Sequence, residues 1–398
     1  MINIAIMGFG VVGSGVAETI LTNSNKITAH LGGNAVNIKY ILDLREFPDH
    51  VLSDRVVHDV NTILEDDEVS IVVETMGGEN PAFKFSEAAI LKGKSVVTSN
   101  KEVVALHGAY LSRLAKENGV TYLFEASVGG GIPIIRPLWQ CLAGNEIVSV
   151  SGILNGTCNY ILTKMLNEKL DFATALSNAQ KLGYAERDPS ADIEGKDTCR
   201  KIAILSSLAY GMTVTPDMIH CEGITGVSYD DLTYAASIGC AVKLLGRAFK
   251  DEDGKVTIIT APFFVPKDDL LGDVNGVYNG VSVVGNIVGS VFFSGRGAGS
   301  LPTASAIVAD VLDAARDNKK NMCWSEEKAD FLEDIGNCVT RAYVRTKASV
   351  DSIKSFFVDA DITENGAYKM FITSHITEND LEKRLEGLDG EFVRIRLL

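Results

Sequence analysis

The first thirteen residues leave few folds open to this chain. Ile2–Met7 is an apolar run of strand length that ends in Gly8-Phe9-Gly10-Val11-Val12-Gly13, and the residues after it continue at helical spacing. A strand, a glycine turn and a helix in that order open a doubly wound sheet that binds a dinucleotide. The first glycine permits the tight turn, the second lets backbone amides approach a pyrophosphate, and the third lets helix and strand pack closely. The same six-residue pattern also occurs in plain turns, so its weight comes from sitting between strand and helix. Gly8, Phe9, Gly10, Val11, Val12 and Gly13 are therefore the first candidate cofactor-binding residues.

The next segments extend that fold. Val36–Leu42 reads as the second strand and ends in Asp43-Leu44-Arg45, where such a fold meets the adenosine ribose. An acidic side chain there accepts from the 2′-hydroxyl of NAD, whereas an arginine suits the 2′-phosphate of NADP. Asp43 and Arg45 supply both, so NAD or NADP stays open. Residues 69–75 read as a strand, and Thr75, Met76 and Gly77 stand where a cofactor would lie against the backbone. A helix near 81–92 and a strand at 95–99 follow. Strand and helix alternating in this way predict a parallel sheet with helices on both faces.

Lys101 follows Ser99 and Asn100, either of which is a credible N-cap, so it falls in the first helical turn. The macrodipole disfavours a cation there. Either it snorkels to water, or it meets an anionic substrate or phosphate. A strand is expected over 121–126. The three glycines at 129–131 before Pro133 free backbone carbonyls, which either make a bend or ring a hard monovalent cation; the residues alone favour the bend. An amphipathic helix is expected near 134–144.

Beyond it, strands are expected at 148–154, 241–249, 255–260, 282–288 and 289–293, with a helix over 157–169, as a mixed sheet. Between them lies a stretch with more charge and turn chemistry than a loop needs for solubility, from Gly183 through Glu186, Asp192 and Asp197 to Lys201. Its pattern turns helical from about Ile193, which sets Asp197 and Lys201 one turn apart on one face. A surface ion pair is the ordinary reading of that spacing. Here the helix continues apolar, so the lysine is poorly solvated while the aspartate favours its charged form, the opposed pulls of a proton donor or acceptor.

Gly295-Arg-Gly297-Ala-Gly299 then precedes a second apolar helix to about residue 315, a place for an anion or a nicotinamide edge. Residues 316–330 read as a linker. The remaining strands and helices, at 339–345, 350–357, 367–374, 377–386 and 392–397, make a small α+β module.

A length of 398 residues, 46% of them hydrophobic, suffices for two or three cores. The net charge of −15 argues against nucleic acid and anionic membrane as partners. Seven cysteines without a CxxC pair suggest neither zinc nor disulfides but reduced, buried thiols. With no basic leader before the first strand and no apolar run of spanning length, a cytoplasmic protein is expected.

Over about its first 315 residues the chain resembles homoserine dehydrogenase. The resemblance rests on Gly8–Gly13, Val-Val-Thr-Ser-Asn-Lys at 96–101, Phe-Glu-Ala-Ser-Val-Gly-Gly-Gly-Ile-Pro-Ile at 124–134, Asn-Gly-Thr-Cys-Asn-Tyr-Ile-Leu at 155–162, and the charged central stretch. It implies a Rossmann-type α/β fold in three parts: a dinucleotide-binding domain at 1–133 completed by 300–318, a substrate-binding and dimerisation domain at 134–299 with a mixed sheet, and an ACT-like module at 330–398. It implies Lys201 as the catalytic lysine, with Asp197 and Asp192 as companions and Glu186 as binder of the substrate's amino group. Lys101 would be the second lysine, and Gly183 and Gly299 would line the nicotinamide side. A sodium-like cation (Na+ or K+) would be held by Glu125, Val128, Gly130 and Ile132 through backbone oxygens, in place of the simple bend. The ACT-like module departs from its pattern, since residues 347–352 lack the glycine of the usual turn; dimer contacts suit it better than threonine binding. The implied reaction reduces L-aspartate 4-semialdehyde to L-homoserine reversibly with NAD(P)H, in a homodimer or homotetramer. The competing readings are another NAD(P)-dependent amino- or hydroxy-acid dehydrogenase, and a dinucleotide-binding sensor without turnover.

Overall fold

The computed structural model of the chain describes residues 1–316 and 321–398. The chain divides into two compact units. One comprises Met1–Glu146, Ala203–Thr215 and Gly295–Ala329; the other comprises Ile147–Ile202, Pro216–Ser294 and Asp330–Leu398.

In the first unit β1 (Ile2–Met7), β2 (Val36–Leu42), β3 (Val56–Val57), β4 (Val69–Glu74), β5 (Ser95–Thr98) and β6 (Tyr122–Leu123) form one sheet in the order β3-β2-β1-β4-β5-β6. Every pair is parallel. Parallel neighbours need crossover helices, and these bury both faces, so Ile4, Ala5, Ile6, Met7, Val72 and Val73 have no exposed surface. The strand order reverses direction between β1 and β4. That switch point sets Gly8, Asp43 and Thr75 at the carboxyl ends of adjacent strands, the position where ligands bind in such sheets. Helix Ser300–Ala315 returns to this unit and rests on helix Val11–Thr22, where a Cβ at Gly15 would stand 2.4 Å from Ser300 Oγ. The dinucleotide-type sheet expected from the glycine turn is present.

Three local expectations for this unit need correction. The strand expected over 121–126 is only Tyr122–Leu123, because the chain leaves the extended region at Phe124 (φ −149°, ψ 33°) and turns through Glu125–Ser127. The helix expected near 134–144 is a single wide turn at Pro137–Cys141, closed by Leu142 N donating to Pro137 O at 2.9 Å; Pro137 has no N–H to continue a regular ladder. The linker expected over 316–330 contains a strand, Ser325–Lys328, paired with Met212–Thr213, while its residues 317–320 lie outside the described residues.

The second unit is built on a mixed sheet. Ile147–Ile153 lies between Tyr278–Gly285 and Cys240–Lys250, antiparallel to both, and Cys240–Lys250 pairs along its whole length with Val256–Pro266. Apart from a two-stranded pairing of Val339–Thr340 with Ile376–Thr377, the C-terminal strands do not make a separate sheet. Phe392–Leu397 joins the edge of Val256–Pro266 in parallel through Phe263 and Phe264 and carries Ala342–Thr346, Tyr368–Ile372 and Thr363–Asn365 with it. Strand, helix, two strands, helix and strand follow in the order of a split β-α-β unit, whose own core includes Val344, Ile353, Phe371, Leu381 and Leu385. No helix among the described residues is long and apolar enough to cross a membrane.

Candidate functional site

The glycine turn is shaped for close approach. A Cβ at Gly13 would stand 2.0 Å from Gly8 O, and one at Gly8, whose φ is +92°, would strike Met76 and Thr75. Thr75 Oγ1 pins the turn by donating to Gly8 O at 2.7 Å. Space opens at Gly10 and Gly77, where a Cβ would meet nothing within 4 Å, and Val11 is exposed while Val12 is half-buried. A pyrophosphate fits a turn that is tight below and open above. Phe9 is buried, and its N–H donates to Asp43 Oδ2 at 2.8 Å, which fixes the acidic residue at the end of β2. Arg45 Nε and Nη2 donate to the same carboxylate at 2.9 Å each. The Arg45 guanidinium holds Asp43 well below the usual carboxylate range.

A buried group that the sequence reading did not single out organises the neighbouring loops. Glu74, at the end of β4, is fully buried and accepts from Met76 N at 2.7 Å and Thr98 Oγ1 at 2.5 Å. Asn100 caps helix Lys101–Glu117 by accepting from Glu102 N and Val103 N, and its Nδ2 donates to Gly78 O at 2.7 Å. Lys101 thereby stands half-buried on the first turn of that helix. Burial pushes Glu74 up to about 7, against the lowering pull of its hydrogen bonds from Thr98, Met76 and Asn100. An acid raised in the folded state stabilises fully below its unfolded value near 4.5, and that contribution is lost as pH rises through about 7. The Tm of Glu74→Gln relative to wild type is therefore expected to rise from about pH 5 to about pH 8, by the equivalent of roughly 2–3 kcal/mol. A pH-independent difference between the two proteins would rule this out.

Gly129 and Gly130 adopt φ of +74° and +54°, and a Cβ at Gly130 would stand 2.4 Å from Gly297 O. Glu125, Val128 and Ile132 around them are buried. The Glu125 carboxylate is spent on the amides of Ile134, Ile135 and Arg136, at 2.7, 2.9 and 2.7 Å. Among the described residues no group of three or more His, Cys, Asp or Glu side chains is placed to hold a metal. Gly299, at φ +117°, precedes helix Ser300–Ala315 in the same unit.

The charged stretch folds as a short turn of helix, Ser190–Ile193, a break at Gly195 with φ +83°, and then helix Lys196–Tyr210, whose residues up to Ile202 belong to the second unit. Helical order thus begins in earnest three residues later than expected, since the left-handed glycine interrupts it. Lys201 Nζ donates to Asp197 Oδ2 and to Leu154 O, both at 2.7 Å. Lys201 and Asp197 are only 9% and 3% exposed, which separates this pair from a solvated i,i+4 bridge. Asp192 is joined to it by a residue the sequence reading placed in a motif and gave no role. Asn155 Nδ2 donates to Asp192 Oδ1 at 2.7 Å and to Asp197 Oδ2 at 2.9 Å, while its Oδ1 caps helix Gly156–Glu168 by accepting from Cys158 N. An Asn before Gly-Thr reads as a helix cap; nothing local marks it as a bridge between carboxylates 37 and 42 residues away.

Glu186 and Gly183 lie on an exposed turn. Gln180 Nε2 donates to the Glu186 backbone oxygen at 3.1 Å, and the Glu186 side chain is not hydrogen-bonded to the Asn155 cluster. The cysteines are all free, but Cys141 and Cys221 are exposed, so the expectation of uniformly buried thiols was too broad.

Comparison with known proteins adds an independent line. The family model of homoserine dehydrogenase matches residues 133–312, and that of the homoserine dehydrogenase NAD binding domain matches residues 8–125. The homoserine dehydrogenase of Synechocystis sp. is 41% identical over 364 residues, which span 89% of this chain and 82% of that protein. The crystal structure of a homoserine dehydrogenase from Thiobacillus denitrificans superposes with a TM-score of 0.92 at 32% identity, covering 100% of this chain and 98% of the other. A hyperthermophilic archaeal homoserine dehydrogenase in complex with NADPH superposes with a TM-score of 0.69 at 28% identity, covering 81% and 99%.

Proposed function

This chain belongs to the homoserine dehydrogenase family, and from that premise we propose that Lys201, held by Asp197 and Leu154, is its proton donor and acceptor. The protein is an NAD(P)-dependent oxidoreductase that interconverts L-aspartate 4-semialdehyde and L-homoserine, a step towards threonine, methionine and isoleucine. The nicotinamide supplies or takes the hydride. As the aldehyde is reduced, negative charge grows on its oxygen; the Lys201 ammonium stabilises that charge and passes it a proton. Asp197 and the Leu154 carbonyl fix two of the three ammonium donors, which orients the amine before substrate arrives. Asp192 and Glu186 take the substrate's ammonium, and Asn155 sets the position of Asp192. The observation that carries this reading is the Lys201–Asp197–Asn155–Asp192 chain of hydrogen bonds, of which Lys201, Asp197 and Asn155 are buried. Initial rates with aspartate 4-semialdehyde and each reduced cofactor test it, and absence of turnover with both rejects it.

On the cofactor side, Gly8, Phe9, Gly10, Val11, Val12, Gly13, Thr75, Met76 and Gly77 form the bed, with Lys101, Gly183 and Gly299 towards the nicotinamide and Lys101 also serving catalysis. Asp43 would serve the 2′-hydroxyl of NAD and Arg45 the 2′-phosphate of NADP, so both are accepted. Arg45→Ala is expected to raise the KM for NADPH about tenfold, the value of one charge-assisted hydrogen bond, with KM for NADH within about twofold. Equal changes for the two cofactors would contradict the assignment. A monovalent cation, Na+ or K+, would sit on the backbone oxygens of Glu125, Val128, Gly130 and Ile132; the paired left-handed glycines and the committed Glu125 carboxylate support this.

The functional division follows the family: cofactor domain 1–133 completed by 300–318, of which 317–318 lie outside the described residues; substrate and dimerisation domain 134–299; ACT-like module 330–398. The exposed apolar Tyr278, Ile287 and Val288 on the hairpin of the substrate domain support assembly as a homodimer or homotetramer. Free cysteines accord with the cytoplasm.

A further inference from the structure

Two of the seven cysteines are neighbours. Cys199 is buried on the first turns of helix Lys196–Tyr210, and Cys221 is exposed at the end of the strand His220–Cys221, whose residue 221 pairs with Thr260. Gly195 touches both: Cys199 N donates to Gly195 O at 2.9 Å, and a Cβ at Gly195 would stand 3.3 Å from Cys221 Sγ. Each also reaches a carbonyl: Cys199 Sγ to Pro216 O and Cys221 Sγ to Glu194 O, both at 3.5 Å. The packing around Gly195 is tight, since its Cβ would also stand 2.7 Å from Glu222 O and 3.1 Å from Thr260. The neighbouring Cys199 thiol and the nearby Lys196 charge lower Cys221, while the neighbouring Cys221 and burial raise Cys199. An exposed thiol that is the readier thiolate, beside a protected partner, is the arrangement of an attacking and a resolving cysteine.

We propose that Cys199 and Cys221 are a modification site, closing to a disulfide when the protein meets hydrogen peroxide and thereby shutting down turnover. Cys221 thiolate attacks a peroxide oxygen, the O–O bond breaks, and the leaving hydroxide takes a proton to become water. Cys199 then attacks the sulfenic sulfur, the S–O bond breaks, and a second water leaves with the thiol proton. The pair loses two electrons and the peroxide gains them. Closure to an S–S bond of about 2.05 Å draws the helical turn of Cys199 towards Cys221. Cys199 is two residues from Asp197 and two from Lys201, and a displacement of about 1 Å at a catalytic group costs about 10²-fold in rate. The effect on rate rests on the role given to Lys201; the bond itself does not.

The test treats the full-length enzyme with hydrogen peroxide, blocks free thiols, and follows both turnover and the cross-linked peptides by mass spectrometry. A Cys199–Cys221 linked peptide is expected, with at least a tenfold fall in kcat that dithiothreitol reverses. Cys221→Ser and Cys221→Ala, at an exposed position, are expected to keep the reduced enzyme's activity and to resist the loss. No linked peptide in the oxidised protein overturns the site. A linked peptide with unchanged turnover, or equal inactivation of the Cys221 variants, overturns the shut-down.

Discussion

Lys201→Ala is expected to lower kcat for aspartate 4-semialdehyde by roughly 10²–10⁴-fold, the range that a positioned proton donor contributes. The Lys201 ammonium donates to one Asp197 carboxylate oxygen and to the Leu154 carbonyl. Its loss does strand charge, because Asp197 and Asp192 remain linked through a single amide. Two carboxylates sharing one neutral donor repel, and the variant is expected to bind a cationic substrate no more weakly than wild type while failing to turn it over. Affinity for the dinucleotide is expected to stay within about twofold, since Gly8, Asp43 and Thr75 belong to the other compact unit. Steady-state kinetics together with fluorescence titration of NADPH separate the two quantities. A variant within tenfold of wild-type kcat would remove Lys201 from the chemistry.

Much of the fold is legible in the sequence, and the reason differs by element. The first sheet could be read because each strand is a continuous apolar run and each turn a glycine with a steric reason, Gly8 and Gly13 foremost. The Asp197–Lys201 pair could be read because helical spacing is a local rule. Asn155 and Glu74 could not, since both act through contacts that depend on the folded arrangement of distant segments. The failures near 121–144 share a cause that adds to the missing N–H of Pro137. Propensity there points to strand and helix, but the Glu125 carboxylate takes three successive amides, and the chain bends to supply them. Tertiary hydrogen bonding outweighs local preference at that place. The attachment of the C-terminal residues was likewise hidden, because strand pairing between Phe263 and Arg396 leaves no mark in either segment alone.

That attachment also sets where the fold is most exposed to mutation. Asp231, fully buried in helix Tyr229–Ser237, accepts from Tyr343 Oη at 2.7 Å and from Arg345 Nε at 2.8 Å, while its other oxygen accepts from Ser228 N at 2.8 Å and Arg345 Nη2 at 3.2 Å. One carboxylate thus closes a capping box and neutralises a guanidinium on strand Ala342–Thr346. Asp231→Ala would leave Arg345 buried with the Gly226 carbonyl and the Tyr368 ring as its remaining partners. Breaking a buried pair from one side costs about 3–5 kcal/mol, because the stranded charge keeps its desolvation penalty. Lys164→Ala, which removes an exposed i,i+4 pair with Glu168, is expected to cost only about 0.3–0.5 kcal/mol and serves as the control. Urea unfolding near neutral pH distinguishes them. Because Arg345 joins the C-terminal strands to the helix, the early loss in Asp231→Ala is expected to show as protease cleavage within 340–398 before the first unit unfolds. Equal midpoints for the two variants would mean that Asp231 is dispensable to this junction, and that the strand pairing at Phe263 and Phe264 holds the C-terminal residues by itself.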